Sequence, residues 1–139
     1  MPSPVKFQDF VEQLGLEQHQ LNTDTLKMAL TNTLPVNTQT VFDAVTNHAA
    51  PAAANGYTAG GEDVANIWSE SGGTATLNGT DITITATAGG IGPFQYIVLY
   101  NDTNPSDMLV VYYDHGSTVN LADGESFVID ILTNIFTLV

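Results

Sequence analysis

Two apolar runs facing each other across a short polar stretch constrain this chain more than any other feature. Phe94-Gln95-Tyr96-Ile97-Val98-Leu99-Tyr100 and Met108-Leu109-Val110-Val111-Tyr112-Tyr113 are rich in aromatic and β-branched residues, and Asn101 to Asp107 between them is built from Asn, Asp, Thr, Ser and Pro. The first kind of residue suits a pleated strand and the second kind turns a chain, so Phe94 to Asp114 reads as a long β-hairpin at the centre of a sheet. Strict alternation puts Phe94, Tyr96, Val98 and Tyr100 on one face and Ile97 and Leu99 on the other, and both sets are apolar. A strand with one wet face would alternate with polar residues. The second face therefore needs a cover: the N-terminal segment, a neighbouring subunit, or the other layer of a fully enclosed sandwich.

The segments around the hairpin repeat the β signal. Phe7, Phe10, Val11 and Leu14 fall at helical spacing and Gly15 follows as a stop, so residues 1–22 are expected to form an N-terminal helix and arm whose Phe7 and Phe10 face packs on the sandwich or on a neighbour. Asp24 to Asn32 alternates like a half-buried strand, and Thr38 to Val45 has the composition for one or two helical turns. From His48 to Glu70 small residues and glycines predict a loose surface excursion, with Trp68 at its exit as a lid over the edge of the core. The Asn78-Gly79 pair predicts a tight turn joining strands Thr74–Leu77 and Asp81–Thr87. Turns at His115-Gly116-Ser117 and at Ala122 to Glu125 lead into Thr118–Leu121 and Ser126–Leu132, and Ile135–Val139 is a last apolar strand that must be paired, in the sheet or across a subunit boundary, to avoid aggregation. Seven or eight short strands without strand–helix alternation predict an all-β fold, an antiparallel β-sandwich of jelly-roll or immunoglobulin-like winding over residues 23–139.

Composition narrows the function. Two basic residues, Lys6 and Lys27, stand against fifteen acids, for a formal charge of −13. Such a surface repels phosphates, so no nucleic acid partner is expected, and it steers toward basic surfaces with an attraction that salt weakens. At 139 residues a single domain can bury an adequate core, and the absence of cysteine leaves packing to stabilise it. No run is long enough to span a membrane and Met1-Pro2-Ser3-Pro4 lacks a signal-peptide pattern, so a soluble protein made in the cytoplasm is expected.

Chemistry is sparse. His19, His48 and His115 are scattered, with no nucleophile elbow and no metal-ligand spacing. Asp102, Asn104 and Asp107 crowd oxygen ligands into the hairpin loop but lack the glycine and terminal glutamate of a calcium loop, and Asx residues around Pro105 are ordinary turn chemistry. The glycine-rich stretch Asn55 to Gly61 carries no lysine and is not a phosphate cradle. No catalytic residue, cofactor or metal is expected.

Four blocks in conserved order, Leu26 to Pro35, Asn55 to Gly61, Gly92 to Asp102 and Leu121 to Phe127, resemble a family of small proteins encoded among the virion structural genes of tailed bacteriophages and prophages. The resemblance implies a particle component, with a capsid decoration or cement protein as the leading expectation. It would be a compact β-rich module on the capsid surface of the virion, a homo-oligomer with a trimer favoured, clamping neighbouring subunits of the major capsid protein. Phe7, Phe10, Tyr57, Trp68 and Phe136 are the candidate interface residues. The alternatives are a tail or head-fibre module that stacks a host-surface glycan on Trp68, Tyr57 and Tyr112, and a small glycan hydrolase with an acid pair about 5 to 9 Å apart.

Overall fold

In the computed structural model, which describes residues 1–139, the chain runs β1 (Val5–Lys6), α1 (Gln8–Gly15), β2 (Leu26–Thr31), β3 (Glu62–Val64), β4 (Ile67–Ser71), β5 (Thr74–Asn78), β6 (Ile82–Thr85), β7 (Ile91–Asn101), β8 (Met108–Leu121), β9 (Ser126–Ile129) and β10 (Phe136–Leu138). Every strand pairing is antiparallel. A five-stranded sheet in the order β1-β8-β7-β2-β3 faces a three-stranded sheet, β10-β5-β4, and a two-stranded one, β6-β9. Strands occupy 42% of the residues and helix 6%, which makes this an all-β, sandwich-like fold with one short helix.

The predicted hairpin is the pair β7–β8, and it lies at the centre of the large sheet. Its inner face, with β2, sends Leu26, Met28, Leu30, Phe94, Ile97, Leu99, Val110 and Val111 into the main core, where they meet Leu77, Ile84 and Ile129 of the facing sheets. Its outer face carries Ala29, Val98, Tyr100 and Leu109. Phe94 therefore sides with Ile97 and Leu99, against simple alternation, because the pairing slips between Phe94 and Tyr96. Between Val119 and Asp114 β8 takes five steps where β7 takes two, and that excess absorbs His115-Gly116-Ser117. The sequence predicts a turn there; the strand bulges and continues instead. A second slip, between Leu99 and Tyr100, lets the consecutive Val110 and Val111 both face inward.

The cover for the outer face comes from within the chain. Phe7 stands at the start of α1 in extended conformation, donates its N–H to the Val110 carbonyl at 3.1 Å and sets its ring 5.3 Å from Tyr112. Phe10 lies in the inner core, so the two rings predicted to share a helix face lie on opposite sides of the sheet. Gly15 remains helical, and the stop is Glu17 in left-handed conformation, with Gln18 N–H bonded to Gln13 O and Glu17 N–H to Leu14 O, a Schellman ending. The rest of the cover is residues 32–50. Predicted helical turns at Thr38 to Val45 are absent: Val41 bridges to Met108, while Thr40 O and Phe42 N–H bond Leu109 and Asp107 of the β8 edge.

The expected loose excursion contains two strands. β3 pairs with β2, and β4 pairs with β5 through the two-residue turn Gly72-Gly73, both at positive φ, as a type I′ hairpin demands. Gly61, at φ +95°, lies so close to β2 that a Cβ would strike the Met28 carbonyl. Asn78-Gly79 is not a hairpin turn, since β5 pairs with β4 and β10 while β6 pairs with β9; it carries the chain from one sheet to the other. The Ala122 to Glu125 turn forms as expected, though β9 stops at Ile129, short of Leu132. The terminal strand β10 is paired, on β5.

Candidate functional site

Phe7 and Phe10 are fully buried, one on each face of the sheet. Tyr57 is buried as well, and its hydroxyl accepts the Leu30 N–H at 2.9 Å, supplying a partner to β2 just beyond Met28, where its pairing with the first residue of β3 stops. Burial pushes its phenol up to about 12. Trp68 and Phe136 are half-buried neighbours, their ring centres 6.2 Å apart, and Phe136 meets Phe10 edge-on at 5.5 Å. The five candidates thus separate into three core residues and one partly exposed pair. Trp68 closes the core edge from a strand, not from a loop exit, and its backbone N–H reaches Asn22 Oδ1 at 3.5 Å.

The histidines are not gathered. His115 is exposed, edge-on to Phe127 at 5.2 Å. His48, within residues 32–50, is fully buried. His19 is 4% exposed, 5.2 Å from the Phe10 ring, with Nε2 lacking a hydrogen-bond partner. Burial lowers the titration of both inner imidazoles, against the opposing pull of Asp24 and Asp9 on His19 and of Asp43 on His48.

Beside His19 lies a residue that the sequence pattern does not single out. Asn101, fully buried at the end of β7, points its amide nitrogen at Gln18 O, His19 Nδ1 and Asp24 Oδ2, at 3.4, 3.2 and 2.6 Å. Its oxygen accepts the Thr103 and Asn104 N–H groups. One amide thereby fixes the hairpin loop against the segment between α1 and β2, a link across about eighty residues of sequence that no local signal could announce.

The hairpin loop's oxygen trio is a set of turn contacts. Asn104 Oδ1 accepts the Ser106 N–H, and its amide nitrogen reaches Gln18. Asp102 and Asp63 each sit 3.7 Å from Lys27 Nζ. Asp107 is raised by burial and then by Asp102. No group of three histidine or carboxylate side chains in the chain is placed to hold a metal ion. One cavity of about 160 Å³ opens between Met1–Pro4 and Asp130–Ile135, with Tyr113 at its wall.

The acids lie elsewhere. None of the fifteen carboxylates is fully buried, Asp107 being among those half-buried, and those with lowered titration are held by neutral donors: Asp43 by the Thr46 and Val45 N–H groups, Asp114 by the Gln95 amide and the Gly116 N–H. This arrangement offers an anionic outer surface on a frame of packed aromatics. Comparison of the chain with protein-family models, with curated proteins and with solved structures found no match.

Proposed function

We propose that this chain is a phage virion structural protein, a capsid decoration (cement) protein that binds the outer shell as a homo-oligomer, with a trimer favoured, and stabilises the major capsid lattice. The observation that carries the reading is the placement of charge: fifteen acidic residues, none of them fully buried, against Lys6 and a Lys27 already shared between Asp63 and Asp102. Such a module meets its partner with its surface, and a basic rim is the partner that it fits. A protein that binds only the assembled shell stabilises it by mass action and needs no catalytic group. The four sequence blocks that resemble phage virion proteins point the same way. The glycan-binding alternative loses one of its three rings, because Tyr57 is inside the core.

A reconstruction of the particle carrying this protein tests the proposal. Density at local threefold or intercapsomer positions on the shell is the expected result; density in the tail, or none, overturns it. Binding of the purified chain to isolated shells should weaken as salt rises.

A further inference from the structure

The strap that closes the outer face, residues 32–50, is gathered by one imidazole. His48 has no exposed surface. Its ring stacks on Phe42 at 5.4 Å, Phe42 stacks on Tyr100 of β7 at 4.2 Å, and Phe7 meets His48 edge-on at 6.5 Å. Both ring nitrogens are engaged. Nδ1 accepts the Asp43 backbone N–H at 3.1 Å. Nε2–H donates to Gln39 Oε1 at 3.1 Å, an oxygen that also accepts the Val36 N–H. This pattern admits the neutral ring with its proton on Nε2 and no other form.

We propose that His48 is a pH-operated latch: neutral, it holds the turn Asp43–His48 against the outer face of the five-stranded sheet, and protonated, it swings out and uncovers the Phe42 and Phe7 rings. A second proton on Nδ1 would point at the Asp43 N–H, donor against donor, inside a stack shielded from solvent. The charged group that faces the ring is Asp43, on the same strap. From β7 comes Tyr100, kept neutral by burial and donating its hydroxyl proton to Gly60 O; the N-terminal segment contributes Phe7, with Tyr112 of β8 behind it. The Asp43 carboxylate already accepts the Val45 and Thr46 N–H groups at the surface, so it rewards an imidazolium that has left the stack.

The direction of the effect follows from burial, which holds the His48 titration below the usual 6.5. The closed form takes up its proton later on acidification than the open form does. The latch is at full strength above about pH 6.5 and weakens as pH falls below it toward the depressed value. Opening stays local, because Thr40 and Phe42 remain paired to the β8 edge and Thr31 Oγ1 still holds Ala49 O at 2.9 Å.

The test is NMR on the isotopically labelled full chain, combining imidazole nitrogen correlations with hydrogen exchange at about pH 7.5 and about pH 5. Expected are the Nε2–H tautomer for His48, a midpoint below 6.5, and protection of the Asp43, Val45, Thr46 and His48 amides falling roughly tenfold in step with it while β7 amides hold theirs. His48→Phe keeps a ring in the stack and should abolish that pH response; if it fails to fold, coincidence of the imidazole and amide midpoints in the unsubstituted chain decides. An Nδ1–H tautomer, unchanged amide protection while His48 takes its proton, or the same pH response in folded His48→Phe overturns the proposal.

Discussion

The five-stranded sheet has two faces, and they are closed by different means. On the inner side, two further sheets supply Leu77, Ile84 and Ile129, each held in register by strand pairing. On the outer side lies a strap whose only sheet-like contacts are those of Thr40, Val41 and Phe42 with the β8 edge; one further backbone bond, from Gln8 N–H to Asn37 O, ties it to the start of α1, and the rest is held by side chains. Backbone pairing repeats at each residue and closes a layer cooperatively, whereas a side-chain closure depends on a few groups. The inner face should therefore fail globally and the outer face locally.

The largest effect should come from Phe94→Ala. Phe94 is fully buried in the inner core, 5.0 Å from the Phe127 ring, and its truncation should cost about 4 kcal/mol in urea unfolding, with all probes moving together. Phe42→Ala on the outer face should cost about 2 kcal/mol, and amide exchange should quicken in residues 32–50 well before it does in β7. Equal losses at the two sites, with both transitions global, would remove the distinction. Thr31→Val deletes the bond that ends the strap at Ala49 and should cost about 1 kcal/mol, again read as local exchange. Smallest should be Lys27→Met. Its two ion pairs are long, and one partner, Asp63, is 72% exposed, so a change within about 1 kcal/mol that vanishes at high salt is the expected thermal-melt result.

What was legible in the sequence was local. The hairpin, the Ala122 to Glu125 turn and the shared inner face of Leu26, Met28 and Leu30 depend on neighbours in the chain, and they appear as read; β2 is not half-buried, however, because its other face is covered too and Ala29 and Thr31 are buried with the rest. The errors fall where distant chain decides. Phe7 and Phe10 have helical spacing, but the helix begins after Phe7, and pairing of β1 with Tyr112 and Val111 sends that ring to the other face. Gly72-Gly73 and Asn78-Gly79 carry the same turn chemistry; which of them makes the hairpin depends on what β5 and β6 find as partners. The run of small residues before Trp68 reads as loose because its anchors, Leu30 for Tyr57 and β2 for β3, lie about thirty residues or more away. For the candidate interface the cause is similar: aromatic identity does not tell a core ring from a surface one, and Tyr57 shows this most plainly.

The strand order carries a kinetic consequence. β7 and β8 meet across a six-residue loop, yet β2 can join them only after residues 32–90 have been set aside as one long excursion. Closing so large a loop costs entropy before any pairing repays it, so docking of β2 on the preformed hairpin should pace folding, with the β4–β5 hairpin able to form independently inside the excursion. The strap lies within that excursion too and can settle only once β2, β7 and β8 are side by side, so it should order no earlier than the sheet it covers and be among the first parts to loosen afterwards.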